Sequence, residues 1–540
     1  MNQLYYGDNL GVLRESIGDE SVDLIYLDPP FNSKREYSLL FKSPKGQKSE
    51  AQITAFEDSW HWGEQAELEF DEVLHQTNTD VAEMMLALRS FLGQNDMMAY
   101  LTMMANRLLE LHRVLKSTGS IYLHCDPTAS HYLKIVLDGV FGKLSFRTEI
   151  VWKRTMAKGL MSKRLPNNHD NILVYDKTEN AKWNPDAIFE AYDPDDLDDK
   201  TAEKYSQRDD DGRRYQLTSL LNPNHDRPNL TYEFLGVTRV WRWTQARMQK
   251  AYDDGIVVQA KPGAVPRMKR YLDEQRGHSF GDVWSDIPPI NSQAQERLGY
   301  PTQKPLALLE RIIKCSSHEG DVVLDPFCGC GTAVHAAQKL GRQWIGIDVT
   351  HLAISLIEKR LKDAFKADCK FEVHGTPTDL DSARDLAARD KYQFQWWAVS
   401  LVEAQPFQGK KKGADTGIDG LKFFHDLTGD AKKIVVSVKG GGLKADDVRA
   451  LELVRSREKA EIALLISLAE PTRGMLSDAA SVGFYASDAG NKYARVQMLT
   501  IEGLLSGQQR AEHPDAVPNV TFKKAKREKR TAKQGKIFGD

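Results

Sequence analysis

Apolar and polar positions alternate with two different periods along the first 176 residues. Ser21–Leu27 is an apolar strand run that stops at Asp28. Asp96–Lys116 places Met97, Leu101, Met104, Leu108, Leu111 and Leu115 at helical spacing. Ser120–His124 reads as a strand, Tyr132–Phe141 as a helix, and Thr148–Trp152 and Asn171–Tyr175 as further strands. Strands alternating with helices predict a parallel sheet covered on both faces. From about 178 to 290 the regularity gives way to a polar stretch with turn signals such as Asn222-Pro223 and Pro262-Gly263. Alternation resumes with a helix over Pro305–Ser316, a strand over Val322–Asp325, a helix over Thr332–Leu340, a strand over Gln343–Asp348 and a helix over His351–Ala364. Residues 376–390 are polar and read as a linker. A further α/β segment follows from 391, and no internal repeat is visible.

The chain has 540 residues, enough for three or four domains at roughly 150 residues each. Hydrophobic residues make up 41% and charged residues 28%, which excludes wholesale disorder. No run approaches the ~18 apolar residues of a membrane span. The first residues, MNQLYYGDNL, lack a basic and then apolar leader, so no signal peptide and no membrane association are expected. Five scattered cysteines fit a reducing cytoplasm better than a disulfide framework. The net charge of -3 conceals an uneven distribution: residues 523–536 carry eight Lys/Arg and one Glu, while 184–211 is acidic.

Two segments carry candidate chemistry. Asp28-Pro29-Pro30-Phe31 sits where a strand ends, the usual place for ligands in an open parallel sheet. Successive prolines stiffen the loop and remove N–H donors. What remains is the Asp28 carboxylate and the Pro29 carbonyl as acceptors, beside the Phe31 ring. A planar ring with an exocyclic amino group suits that set, as does an adenine turned out of its helix; a plain turn is the alternative. The second segment, Val323 to Thr332, is a strand followed by a glycine turn and a helix. Gly329 and Gly331 allow close backbone approach, Thr332 opens the helix, and Asp348 ends the next strand, where an acid binds ribose hydroxyls. Neither a Walker loop nor the full dinucleotide fingerprint is present. Cys328 and Cys330 lack a second pair at zinc-ligand spacing.

Together the two segments resemble the amino-methyltransferases of DNA. Asp28–Phe31 matches the family's catalytic motif, and Phe327–Gly331 its Phe-x-Gly-x-Gly cofactor loop beside Asp325. The catalytic motif comes first, the order of the permuted beta group. Tyr6-Gly7-Asp8-Asn9 resembles that group's acidic motif, and Thr302-Gln303-Lys304-Pro305 the segment ahead of its cofactor loop. The resemblance implies a Rossmann-like α/β methyltransferase fold using S-adenosylmethionine. Asp8, Lys304, Pro305, Asp325, Phe327, Gly329, Gly331, Thr332 and Asp348 would hold the cofactor, and Asp28, Pro29, Pro30 and Phe31 the target base. It divides the chain into catalytic and cofactor halves at 1–180 and 291–375, around a target-recognition insert at 181–290. Double-stranded DNA is the implied substrate. A restriction subunit or a homodimer is the implied assembly, since the arrangement resembles modification subunits. Asp at the first catalytic position resembles the adenine-N6 members, with cytosine-N4 transfer as the alternative. Arg239, Arg242 and Arg247 are candidate DNA contacts in the insert, and Arg154 at a strand end is a candidate phosphate contact.

Residues 391–520 resemble the Mrr-like branch of the PD-(D/E)xK nucleases, through Gly417-Ile418-Asp419 and the strand ending in Lys439. That resemblance implies a restriction-endonuclease-like α/β domain in which Asp419, with Glu403 from a helix over Trp396–Glu403, would hold Mg²⁺ beside Lys439. It also raises the alternative of a bifunctional enzyme that cleaves DNA. Ser437 stands where the family has Glu or Gln, which weakens the expected metal set. The segment 521–540 is a basic tail suited to a phosphate backbone.

Overall fold

The computed structural model describes residues 1–30, 36–42, 48–57, 60–155, 165–291, 294–298, 300, 302–407, 417–427, 431–514 and 525–528, with 36–42 and 48–57 as backbone alone. The described residues fall into two compact units, Met1–Trp183 with Asp282–Asp540, and Asn184–Gly281. No helix among them is long and apolar enough to cross a membrane.

The first unit is built on a nine-stranded sheet. Its strands are β1 (Asn2–Tyr6), β2 (Val22–Leu27), β3 (Leu115–Cys125), β4 (Phe146–Trp152), β5 (Asp170–Asp176), β6 (Val283–Trp284), β7 (Val322–Asp325), β8 (Gln343–Asp348) and β9 (Phe371–His374), in the order β6-β4-β5-β3-β2-β7-β8-β1-β9. The all-parallel expectation needs correction at one strand: β5 runs antiparallel to both β3 and β4, while the other pairs are parallel. Strand alternation explains the two buried faces. Ile25 and Leu27 of β2 enter a core with Leu108, Leu111 and Leu123, whereas Leu24 and Tyr26 enter one with Ile312, Val323 and Ile357. The first face is covered by α1 (Asn9–Ser16), α2 (Asp96–Val114) and α3 (Ser130–Phe141); the second by α4 (Leu306–Ser316), α5 (Thr332–Lys339) and α6 (His351–Phe365).

The same unit contains a five-stranded sheet, β10 (Gln405–Pro406), β11 (Gly420–Phe424), β12 (Lys432–Lys439), β13 (Ile462–Ser467) and β14 (Val496–Thr500), in chain order. β10, β11 and β12 are antiparallel; β12, β13 and β14 are parallel. The segment read as a linker is instead largely helical. α7 (Leu380–Arg389) starts at an Asp379/Ser382 capping box and buries Ala383 and Leu386. The next helix, α8 (Lys391–Leu401), begins earlier than expected and stops before Glu403. Its Gln393 Oε1 accepts from the His351 N–H at the start of α6 (3.1 Å). The second unit is small: a four-stranded antiparallel sheet, a hairpin turning at Leu235-Gly236, and a core around the fully buried Trp241.

Asp23, 1% exposed, locks the strand starts. Its carboxylate accepts from Lys116 Nζ (2.7 Å), Lys182 Nζ (2.8 Å) and the Val322 N–H (3.0 Å). Burial pushes its pKa up, but these bonds outweigh burial and hold it below the ordinary value. Asp23→Ala should cost about 3 kcal/mol, the lower end for a broken buried pair because both lysines keep some solvent. A depressed folded pKa gives stability that is present above the unfolded value and lost as pH falls through the folded one. The difference in denaturant midpoint between wild type and Asp23→Ala should therefore shrink below about pH 4; a pH-independent difference would contradict the ion-pair account.

Candidate active site

The carboxyl ends of β2, β7 and β8 open onto a cavity of about 370 Å³. The glycine loop forms one wall. Gly329 (φ +49°) and Gly331 (φ +72°) are left-handed, and a Cβ on Gly331 would stand 2.8 Å from the Ile357 side chain. Asp348 fixes this wall. Its Oδ2 accepts from the Gly329 N–H (2.9 Å), and its Oδ1 from the Thr350 N–H (2.9 Å) and hydroxyl (2.8 Å). Burial nevertheless pushes its pKa up to about 6. Asp325 is buried deeper, accepts from the Phe327 N–H (3.1 Å), and is raised well above its usual range, chiefly by burial.

The N-terminal motif closes the cavity from the other side. The Gly7 N–H donates to the Asp348 carbonyl (3.0 Å). Asn9 Nδ2 donates to the Pro326 carbonyl (2.9 Å), which ties the start of the chain to the glycine loop. Arg107 of α2 binds Asn9 Oδ1 (2.6 Å) and Asp8 (2.7 Å). Sequence reasoning missed Arg107, although a signal exists: it lies four residues from Met103 and from Leu111, a cation on the apolar face of its helix.

Asp28, Pro29 and Pro30 line the cavity; Phe31 lies outside the described residues. Lys304 Nζ bonds Asp28 Oδ2, so the residue expected beside a cofactor meets the catalytic-motif carboxylate. Asp28 Oδ1 is buried and has no hydrogen-bond partner among the described residues. Phe327, Gly329 and Thr332 also line the cavity, whereas Pro305 caps the start of α4 and is not part of the lining.

Beneath Asp28 runs a buried polar chain that the sequence did not announce. The Tyr26 hydroxyl bonds His124 Nδ1 (2.9 Å), His124 Nε2 bonds Asp170 Oδ2 (3.3 Å), and Asp170 Oδ1 pairs with Arg154 (3.0 Å). Burial, then the charges of Asp28, Asp325 and Asp170, raise the Tyr26 phenol well above its usual pKa. The phenol stays protonated and is able to donate to Nδ1, the tautomer in which Nε2 donates to Asp170. Arg154, expected to meet phosphate, thus supports Asp170.

The residues expected to form a nuclease site are engaged elsewhere. Asp419 Oδ2 accepts from the Val438 N–H (2.7 Å) and, weakly, from Ser437 Oγ (3.4 Å). Lys439 pairs with Asp447 (3.1 Å) and Glu403 with Lys422 (3.9 Å). Among the described residues no three His, Cys, Asp or Glu side chains gather to hold a metal ion, so the expected Mg²⁺ cluster is not assembled there. Arg239, Arg242 and Arg247 are exposed in the second unit, and Arg247 lies over the Trp243 ring at 4.5 Å.

Residues 22–359 match a protein family described as DNA methylase, of N6 and N4 type. The chain is 30% identical over 271 residues to the type II methyltransferase M.EcaI of Enterobacter cloacae, covering 48% of this chain and 57% of that protein. It is 26% identical over 363 residues to the type III restriction-modification enzyme StyLTI Mod subunit of Salmonella typhimurium, covering 63% and 50%. It therefore spans about half the length of these curated relatives. A solved structure of PvuII DNA methyltransferase, described as cytosine-N4-specific, overlays with a TM-score of 0.33 at 13% identity, covering 66% of this chain and 86% of that one.

His124 bridges two buried polar groups, so its removal strands both. His124→Ala should destabilise the protein by roughly 3 kcal/mol and Tyr26→Phe by about 1 kcal/mol. Because the phenol loses the same bond in either variant, the double variant should cost less than the sum. Thermal unfolding of the four proteins reads this directly, and strict additivity would rule out the linked chain.

Proposed function

The chain belongs to the N6/N4 DNA methylase family, and on that premise we propose that it transfers a methyl group from S-adenosylmethionine to the N6 amino group of adenine in double-stranded DNA. The carrying observation is Asp28 Oδ1, a buried acceptor without a partner among the described residues, in the cavity that the glycine loop also lines. Buried polar atoms are nearly always paired, so this oxygen calls for a donor from a ligand, and an exocyclic amino group supplies one.

The residues present fit the cofactor. Left-handed Gly329 and Gly331 shape the loop beside the cavity, which Gly329 lines, and Asp348 offers a carboxylate suited to vicinal hydroxyls. S-adenosylmethionine, when bound, supplies an electrophilic methyl group. Asp28 Oδ1 and the Pro29 carbonyl accept the two amino hydrogens and favour a more tetrahedral nitrogen whose lone pair is free to react. Lys304 anchors the other Asp28 oxygen, so the carboxylate cannot swing away. Asp28 Oδ1 is also placed to take the proton that nitrogen gives up. Most of the rate comes from this orientation and local electrostatics, and no covalent enzyme intermediate is required.

Asp at position 28 favours adenine over cytosine, whose N4 amino group is the alternative target. The second unit, with Arg239, Arg242 and Arg247, is our candidate for target recognition. A restriction subunit is the partner that the Mod relative suggests. We read residues 391–520 as a nuclease-like domain in a DNA-binding role, because Asp419 and Lys439 are bound internally.

Nucleoside mass spectrometry of DNA incubated with the protein and S-adenosylmethionine should reveal N6-methyladenine; N4-methylcytosine would overturn the adenine assignment. Asp28→Ala should lower methyl transfer by at least about 10²–10³-fold while leaving S-adenosylhomocysteine affinity nearly intact. A variant with half of wild-type activity would refute the role given to Asp28.

Asp348 adds a pH test. With its pKa at about 6, the carboxylate is charged above that pH and neutral below it. A charged acceptor binds hydroxyl donors more strongly, so S-adenosylhomocysteine affinity should fall as pH drops through 6. Asp348→Asn should bind weakly with no such inflection. Calorimetric titration at several pH values measures both, and a flat wild-type profile would remove Asp348 from the ribose site.

A further inference from the structure

Residues 525–528, within the most basic segment of the chain, pack through that segment's single acid. Lys526 and Arg527 are exposed, whereas Glu528, the one acid among residues 523–536, turns inward with a side chain 15% exposed. Its N–H donates to the Ala364 carbonyl in the last turn of α6 (3.1 Å). His335 Nε2 of α5 donates to its carboxylate (3.4 Å), and Lys339 pairs with it at 3.5 Å.

The contact continues to the cofactor loop. His335 Nδ1 accepts from Arg360 Nε (3.3 Å). Arg360 Nη1 donates to the Cys330 carbonyl (2.9 Å) and Thr332 Oγ1 (3.1 Å), and both residues line the cavity. Arg360 is 4% exposed, and these three acceptors are a carbonyl, a hydroxyl and an imidazole. A buried cation is costly without a nearby negative charge. Glu296 and Glu528 both supply negative charge, Glu528 across a single imidazole. Burial lowers the His335 pKa to about 4, so the ring is neutral near pH 7 and can accept at one nitrogen while donating at the other.

We propose that Glu528 is a positioning residue for the cofactor loop, acting through His335 and Arg360 on Cys330 and Thr332. This rests on the reading of that loop as the cofactor site. Residues 526–528 then present an acid that steadies the loop and two cations open to solvent.

The test uses the full chain, S-adenosylhomocysteine titration and steady-state kinetics. Glu528→Ala should raise the S-adenosylhomocysteine Kd and the S-adenosylmethionine KM by roughly three- to tenfold, with kcat within about twofold of wild type. Glu528→Gln, which keeps an acceptor for His335 without the charge, should fall between. The Lys526→Ala/Arg527→Ala variant should keep wild-type cofactor affinity and bind DNA less tightly, with a shallower salt dependence. The proposal is overturned if Glu528→Ala keeps the wild-type Kd, whether or not its Tm falls, or if the Lys/Arg variant raises the Kd equally. If the wild-type protein takes no S-adenosylhomocysteine, the cofactor reading falls first, and this one with it.

Discussion

Asp348 accepts two N–H bonds and one O–H bond at the end of β8, while its own carbonyl accepts the Gly7 N–H. One residue therefore joins the glycine loop, the start of α6 and the N-terminal motif. The last belongs to a stretch of chain more than three hundred residues away. Burial works against the charge that these bonds favour, and the balance leaves a carboxylate that titrates close to neutrality. The two walls of the cavity are joined by this knot, because the split order of the motifs provides no local connection between them. Asn9, through the Pro326 carbonyl, is the second tie across the same gap.

Around Asp28 the logic is reversed. Lys304 binds one oxygen, and the other has no hydrogen-bond partner among the described residues. Behind it, Tyr26, His124 and Asp170 satisfy one another across three adjacent strands, β2, β3 and β5. This linked polar chain lies beneath Asp28, and such chains stiffen a site because each bond constrains the next.

Much of the methylase sheet was legible in the sequence, because its strands are apolar on both faces and its helices keep clean periodicity. The catalytic and glycine segments were visible for a related reason: proline and glycine at strand ends have few structural substitutes. The Tyr26–His124–Asp170 chain was not legible. Strand alternation puts Tyr26 in register with Asp28, and His124 with Tyr122, but only the strand order makes β2, β3 and β5 neighbours, and β5 reverses direction against a parallel expectation. Lys304 lines the cavity with the glycine loop, but its bond to Asp28 was not legible, because the motif indicates where Lys304 lies along the chain and not which carboxylate its long side chain reaches. The supposed linker was misread because the composition of α7 is polar, and its helicity rests on a capping box and two buried residues, Ala383 and Leu386. At Asp419 and Lys439 the Mrr-like resemblance suggested an ion site; in the structure Asp419 accepts from the Val438 N–H and Lys439 pairs with Asp447.

The permuted order also has a consequence in time. Roughly 320 residues separate Asp28 from Asp348, so at ~5–20 residues per second the ribosome needs roughly 15–60 s to pass from one to the other. Until β7 is made, β2 lacks that neighbour and presents an open hydrogen-bonding edge, and until Asp348 is made the N-terminal motif has nothing to close upon. The nascent chain can thus hold Asp28 for most of its synthesis without the glycine loop that lines the same cavity. The second unit, contiguous in sequence and with a core of its own, can finish folding in the meantime.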